Sequence, residues 1–327
     1  MSGEKRGLEA AADEPYEDGG RGPLGPFSFR HLDSLSLLFY QATPASARSL
    51  PAGSWKLSTD AYYASFSTTD FGSQSTLFRD HEVLRLELRG QVGLRDDLEL
   101  EVVVPFHFVT IGILDDFVDE FHDLTGLGPD DRESDAFADS YTVRGQTAHQ
   151  GSEDLFSLAD ISLSLKYAWL RDGEDPLGLA IRGGVELPAG SESRGVGNGE
   201  VDGGFGVLLE KSLGDFVLHV SGDAEFQQPP DDFESAGIDL SPVTAAASLG
   251  LEWRARDELS FLAQVYYSQP LLPDEEIPSV SGHRLYWALG FRAAITDRFS
   301  LRFAFMEELI SGPVFDFAMT AGLSFRF

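Results

Sequence analysis

The composition of this 327-residue chain excludes several classes of protein. There is no cysteine, so a disulfide scaffold, a cysteine nucleophile and a thiolate metal site are excluded. The formal net charge of -30 would repel nucleic-acid phosphates. No apolar run approaches the roughly 20 residues that a membrane helix needs, whereas 25 phenylalanines and 34 glycines suit strands that are apolar on one face.

The chain begins with an acidic segment, residues 1–25, which is predicted to be a disordered tail or the product of a misplaced start codon. The segment lacks the apolar stretch of a secretory signal, which export to the outer membrane requires. Three interpretations stay open: a mature or truncated chain, a wrongly placed start, or a soluble protein.

Residues 26–53 contain a short apolar run, Leu35 to Tyr40, between flanks that carry proline. The segment is predicted either to lie on the periplasmic side of a barrel or to enter its lumen as an N-terminal plug. Of the two placements, the periplasmic one is preferred.

Residues 54–327 show apolar and polar positions alternating with a period of two, in twelve segments of roughly ten residues. In residues 83–94, for example, leucines alternate with Arg85, Glu87 and Arg89. Segments of this length match tilted strands that cross a bilayer. The pattern predicts an all-β fold, a closed antiparallel transmembrane β-barrel of about 12 strands.

The connections between these segments alternate between short and long, as in barrels with short periplasmic turns and longer outer loops. A soluble β-sandwich, the main alternative, usually has shorter strands. The short connections are 95–97, 171–176, 214–215, 255–258 and 296–298, and the long ones are 68–80, 111–155, 189–200, 227–242, 269–283 and 310–313.

The last predicted strand ends in Phe327, which resembles the signal that the barrel assembly machinery recognises in outer-membrane proteins. The expected partners are this machinery, outer-membrane lipid and lipopolysaccharide, together with a small solute of unknown identity. The expected location is the bacterial outer membrane.

The polar face of each strand is predicted to point into the lumen, where charged residues would line a wet pore or pair across strands. Acids slightly outnumber bases in this set, so an open pore would modestly prefer cations. The lumen-lining candidates are Arg85, Glu87, Arg89, Glu99, Glu101, Lys166, Arg182, Glu186, Asp223, Glu225, Arg292 and Arg302, with Asp160, Asp202, Glu210, Glu252, Arg254 and Arg326 on the same faces.

The longest loop departs from the period of two, because apolar residues in 113–124 recur at spacings of three and four. This spacing predicts an amphipathic helix. The helix is interpreted as a lid over the pore mouth, with Phe117, Glu120, Phe121 and His122 as candidates, or as an acidic surface helix. A solvated acidic face is favoured over Ca²⁺ or Mg²⁺ binding, and no metal site or cofactor is predicted.

Two groups of motifs resemble a bacterial family of outer-membrane barrels catalogued as domain of unknown function 3187. The first comprises Gly25-Pro26-Phe27, Leu35-Ser36-Leu37-Leu38-Phe39 with Pro44, and Leu50-Pro51-Ala52-Gly53. The second runs from Gly112 to Asp123 and continues with Gly126-Leu127. The resemblance covers residue 25 to the end of the chain and implies a fold and a location, but no activity.

The function expected from the sequence is that of a passive channel or a barrel that binds or takes up a small solute. A structural or surface-interaction barrel with a closed lumen is the alternative. A lipid-modifying enzyme is a distant third, because His107 and His219 face inward on the predicted strands and no serine is evidently paired with either. The chain is therefore predicted not to be an enzyme.

Overall fold

The computed structural model describes residues 24–110, 137–153, 155–172, 175–310, 315 and 317–327. Among these residues the chain is almost entirely β-strand, joined by turns, loops and a few short helices. The strands are β1 (Trp55–Phe71), β2 (Ser75–Arg95), β3 (Leu98–Thr110), β4 (Ala138–Val143), β5 (Gln146–Gln150), β6 (Leu155–Leu158), β7 (Ile161–Leu170), β8 (Gly178–Leu187), β9 (Asp202–Leu213), β10 (Phe216–Phe226), β11 (Val243–Arg256), β12 (Leu259–Ser268), β13 (Arg284–Ala294), β14 (Phe299–Ile310) and β15 (Phe317–Arg326).

Twelve of the described strands, β1 to β3 and β7 to β15, form a closed antiparallel barrel. Each pairs with its neighbour along this series, and β1 closes the barrel by pairing with β15 from Lys56↔Arg326 to Ser65↔Phe317. The predicted twelve-stranded antiparallel barrel is therefore confirmed. Short helical turns lie outside the barrel strands, at Ser36–Leu38, Glu192–Arg194, Asp231–Ala236 and Pro278–Ser281.

Two of the three additional strands, β4 and β5, widen the sheet at the end that carries the long loops. Strand β4 pairs with the part of β2 nearest that end, and β5 pairs with β4. The predicted long loop 68–80 is wrong, because β1 and β2 continue through most of it and leave only residues 72–74 as a turn. The added pairing with β4 satisfies the backbone of the extended β2.

One barrel strand is interrupted. Strand β6 pairs with β3 near the long-loop end, and β7 pairs with β3 near the short-turn end. Between them Ala159 and Asp160 leave the ladder, and the Asp160 carboxylate accepts hydrogen bonds from the backbone N–H groups of Ala189 and Gly190 at 2.9 and 2.7 Å. The loop after β8 is thereby fastened to the wall at the break.

The outer face of the barrel is apolar and exposed. Leu249 on β11 and Phe205 on β9 keep 49% and 59% of their surface exposed, and exposed aliphatic side chains recur around the barrel. Trp55, Trp169 and Phe327 are exposed at the short-turn end, as an interfacial aromatic girdle requires. Such a surface belongs in a lipid bilayer, so the barrel is a transmembrane barrel. Within the described part of the chain, no helix is both long and apolar enough to cross a membrane.

Candidate functional site

The lumen of the barrel is occupied by residues 24–50, here called the lumen hairpin. Its first limb starts at the short-turn end, where the N–H groups of Leu24 and Gly25 donate to the Glu252 carboxylate at 2.9 and 3.2 Å. Farther along, the Phe27 N–H donates to the Gln264 side chain at 3.0 Å. The limb thus rises along β11 and β12, inside the lumen and not on the periplasmic side that the sequence favoured.

The apex of the hairpin lies at the long-loop end, where Asp33 is fully buried. Its carboxylate is 2.5 Å from Arg284 Nη1 and 3.2 Å from Arg79 Nη2. Burial by itself would raise the pKa of Asp33, but the two guanidinium groups hold that pKa well below its ordinary value. Asp33 therefore stays ionised at neutral pH and anchors the apex to two strands of the wall.

His31, just before the apex, is buried and hydrogen bonded to the Tyr286 hydroxyl at 2.8 Å and to Ser268 Oγ at 2.5 Å. Burial, reinforced by the positive charge of Arg284, lowers the pKa of His31 to about 3. The imidazole is consequently neutral at pH 7 and adds no charge beside the ion pairs of Asp33.

Apolar residues of the apex pack against the loops that cover the barrel mouth. Leu35, Leu38 and Phe39 are buried in one cluster with residues of the long loops and of the β4–β5 hairpin. The apolar run that the sequence showed between Leu35 and Tyr40 is therefore core. The loop residues of this cluster are Phe233, Ala236, Ile238, Leu272, Ile277 and Val280.

The second limb descends along β10, β9, β8 and β3 and returns to the short-turn end. Here wall carboxylates again accept hydrogen bonds from the backbone of the hairpin, because a buried N–H group needs an acceptor and this segment forms no ladder of its own. The backbone N–H groups of Ala42 and Leu50 donate to Glu225 at 2.8 Å and to Glu99 at 2.9 Å. The side chains of Ser46 and Arg48 both donate to Glu210, from Oγ and Nε, at 2.5 Å. Arg182 of the wall donates to the carbonyl oxygen of Thr43.

Tyr40 on the second limb sits over a pair of glycines in the wall. Gly184 and Gly204 are directly paired between β8 and β9. A Cβ added at Gly184 would collide with the Tyr40 hydroxyl, and one added at Gly204 would collide with the Tyr40 ring. The two glycines therefore create the space in which the ring lies.

A buried cluster of charges joins the hairpin to β2. Glu87 is fully buried and lies 3.0 Å from Arg30 of the hairpin, 2.8 Å from Arg85 and 3.0 Å from Arg89. Arg89 also contacts Glu101 at 2.7 Å. Three guanidinium groups thus share one central carboxylate.

Below the hairpin a cavity of about 220 Å³ remains at the short-turn end. Residues from both limbs form its roof, and strand ends form its walls. The charged residues that line it are Arg48, Lys56, Arg89, Lys166, Arg292, Arg302 and Arg326, with Glu99 and Glu101. Basic side chains therefore dominate this part of the lumen.

All twelve lumen-lining candidates lie on the inner face, and the structure divides them into groups. Arg85, Glu87, Arg89 and Glu101 form one network. The remaining contacts are Lys166 with Glu99 at 3.1 Å, Arg182 with Asp223 at 2.7 Å, Ser162 with Glu186 at 3.1 Å, Glu225 with the hairpin backbone, Arg292 with the carbonyls of Leu24 and Pro26, and Arg302 with Asp60. The lid candidates Phe117, Glu120, Phe121 and His122 lie outside the described residues.

Sequence reasoning missed the residues through which the hairpin and the wall meet. Arg30, His31 and Asp33 form a charged group next to an apolar run, which is a signal for a buried polar anchor. Arg79 lies in a segment that was predicted to be a loop, and the alternating pattern did not indicate any residue that would interact with Lys56.

The two inward histidines have carboxylate or guanidinium neighbours. His219 lies 3.0 Å from Glu252 and 3.4 Å from Glu210, while His107 Nε2 lies 2.5 Å from Arg85 Nη1. Over the described ranges, no group of three or more His, Asp or Glu side chains is arranged to hold a metal ion.

Comparison with known proteins gives a family and a fold. Residues 11–327 match the family described as "Protein of unknown function (DUF3187)". The chain belongs to this family. The resemblance to this family that the sequence predicted is thereby confirmed. No curated protein matches.

Among solved structures, the COG4313 outer membrane channel from Pseudomonas putida F1 has 15% identity and a TM-score of 0.59, with 88% of this chain and 100% of that one covered. At this identity the likeness shows a shared fold. The NanC porin has 12% identity and a TM-score of 0.47, with 82% and 98% covered. The Pseudomonas putida toluene transporter TodX has 10% identity and a TM-score of 0.43, with 92% of this chain and 99% of that one covered. The last two likenesses carry no argument about this DUF3187 protein.

Proposed function

We propose that this protein is an outer-membrane channel for a small solute, closed here by the lumen hairpin. The observation that carries the proposal is that both limbs of the hairpin end at the short-turn side. Leu24 contacts Glu252 there, and the Ala52 N–H donates to Asp96 at 2.8 Å in the turn between β2 and β3. The hairpin can therefore leave the lumen as a loop without threading the chain through the barrel.

The wall that the hairpin would uncover is polar. Its inner face carries carboxylates and guanidinium groups, and the hairpin is held to them largely by hydrogen bonds that water can replace. Twelve strands enclose more space than the eight-stranded barrels whose interior is just filled by side chains. The DUF3187 chain also shares its fold with a structure described as an outer membrane channel, which supports the same function and location.

A structural barrel with a permanently closed lumen is the second candidate. The specific observation in its favour is the apolar packing of the first limb, where Phe27 and Phe29 are buried with Tyr62, Phe66 and Met306 of the wall. Leaving the lumen would expose these side chains, which opposes opening.

We also propose which partners the barrel has. The apolar outer face would contact outer-membrane lipid, and the loops at the opposite end from Phe327 would meet lipopolysaccharide. Phe327 continues β15, exchanging hydrogen bonds with Trp55 at 2.8 and 3.0 Å, and would be the residue that the barrel assembly machinery reads.

Planar-bilayer conductance tests the proposed function. The full chain should conduct rarely, whereas a variant lacking residues 24–50 should give large, stable steps. The substitution Asp33→Asn, which removes the charge that anchors the apex, should raise the open fraction of the intact chain by about tenfold or more, because a hydrogen bond to a charged group contributes roughly 1.5–3 kcal/mol.

The matched control is Asp239→Asn, because Asp239 lies on an exposed loop. Its conductance should equal that of the unaltered chain. If the deletion variant keeps the heat-modifiable gel migration of a folded barrel but does not conduct, and Asp33→Asn has no effect, the barrel is structural and the channel proposal is wrong.

A further inference from the structure

The cavity at the short-turn end lies in the lumen below the hairpin and is present while the hairpin closes the barrel. Its roof is formed by residues of both limbs, apolar ones together with Ser28, Ser46 and Ser49, and its walls by the inward side chains of strand ends. Pro51 at its edge is exposed, so the cavity meets solvent at this end of the barrel. The apolar roof residues are Leu24, Pro26, Pro44, Ala45, Leu50 and Pro51.

Most basic side chains around the cavity are already neutralised. Lys166 contacts Glu99 at 3.1 Å, and Arg89 contacts Glu101 at 2.7 Å. Arg302 forms an ion pair with Asp60, and Arg48 contacts Glu210 at 2.5 Å. These pairs account for both carboxylates that line the cavity.

Two basic side chains have no carboxylate partner. Lys56, at the start of β1, makes no ion pair or hydrogen bond within the described residues. The guanidinium group of Arg292 donates to the carbonyl oxygens of Leu24 and Pro26, which carry no formal charge. Both residues line the same cavity, and neither forms an ion pair with a carboxylate among the described residues.

Buried hydrogen-bonding groups of the cavity also lack partners. Arg292 is 92% buried, and its Nε has no hydrogen-bond partner among the described residues. The hydroxyl group of Ser58, which is 94% buried, also has no hydrogen-bond partner among the described residues. A buried donor without an acceptor is costly, and a bound acceptor would remove that cost.

We propose that this cavity is a binding site for a small organic anion. Lys56 and Arg292 would bind its charged group, a carboxylate or a related oxyanion, and Ser58 would donate a hydrogen bond to it. The apolar roof would cover the uncharged part of the ligand. An apolar cavity of about 150 Å³ holds benzene, so about 220 Å³ has room for a small ring with one anionic substituent.

The site concerns binding from the short-turn side and does not require the hairpin to move. Its failure would therefore leave the proposed channel untouched, and a channel that never opens would leave the site untouched. The chain as a whole carries a net charge of -30 and repels anions at long range, so an anion can bind only through local contacts such as those of this cavity.

Isothermal titration calorimetry of the refolded full chain in detergent tests the proposal, with benzoate as the probe. Benzoate should bind, and neutral benzyl alcohol should bind at least tenfold more weakly. The variant Lys56→Gln should weaken benzoate binding by about tenfold or more, because it removes a charge-assisted contact. Arg292→Gln should do the same.

The matched controls are Lys211→Gln and Arg298→Gln, which change the net charge equally outside the cavity. Lys211 is 41% exposed and contacts Asp172, and Arg298 lies on an exposed turn. Both should bind benzoate like the unaltered chain. Lys56 is partly exposed and unpaired, so Lys56→Gln should fold even if Arg292→Gln does not.

Three outcomes would overturn the site. Benzoate could fail to bind at millimolar concentration, or bind unchanged in Lys56→Gln, or bind no better than benzyl alcohol. Inorganic phosphate serves as the remaining probe. If phosphate binds more tightly than benzoate, the apolar roof contributes nothing, and the assignment to organic anions is wrong.

Discussion

At the scale of single residues, the lumen contains buried charged side chains that compensate one another in groups. Glu87 is the clearest case, since Arg30, Arg85 and Arg89 all lie within 3.0 Å of its carboxylate. Burying a charge is costly, and removing one partner leaves the others uncompensated. The central carboxylate therefore decides whether three guanidinium groups can share this space.

The substitution Glu87→Gln should lower the free energy of unfolding by about 3 kcal/mol or more, because it leaves three buried positive charges without their shared partner. Urea unfolding of the barrel refolded in lipid vesicles measures this change. Glu258→Gln, on an exposed turn, is the control and should change stability by less than about 0.5 kcal/mol. Equal stability of the two variants would show that Glu87 is not the centre of the cluster.

At the scale of elements, the lumen hairpin is fitted to the wall by shape as well as charge. Tyr40 occupies the space left by Gly184 and Gly204. The substitution Gly184→Ala should destabilise the closed state by about 1–3 kcal/mol, since the nearest atoms to a methyl group there all belong to Tyr40, which it would overpack. The open fraction in a planar bilayer should rise by roughly 5- to 150-fold.

The control for this change lies on β10, two strands away in the same sheet. A Cβ added at Gly222 would meet no atom within 4 Å, so Gly222→Ala should leave conductance unchanged. Should Gly184→Ala also leave conductance unchanged in a folded barrel, Tyr40 is not part of the closing element.

At the scale of the whole molecule, the apolar outer face places the barrel in a bilayer. Leu249 lies midway along β11 and points outward, so Leu249→Lys should destabilise the barrel by about 2–4 kcal/mol in lipid vesicles. Leu94→Lys makes the same change next to a short turn, where the cost should be about 0–1 kcal/mol. Equal costs at the two depths, measured by urea unfolding, would contradict the membrane placement.

The sequence by itself determined the barrel. Alternation with a period of two assigns each side chain to one face, and this rule is local, so it gave the twelve strands and the inward positions of residues such as Arg85 and Glu99. It also gave the short turns, because turn residues interrupt the alternation. The local pattern did not predict the full length of β2, because the part of β2 that was predicted to be a loop is stabilised by pairing with β4.

The tertiary structure alone decided what fills the lumen. Residues 24–50 have no periodicity, and their partners on the wall are far away in sequence, as with Asp33 and Arg284. Counting lumen charges gave a slight excess of acids, but several of these carboxylates accept hydrogen bonds from the hairpin, while Lys56 and Arg292 line the cavity without a carboxylate partner among the described residues. Which charges are compensated depends on distances between strands and hairpin, and only the folded chain sets those distances.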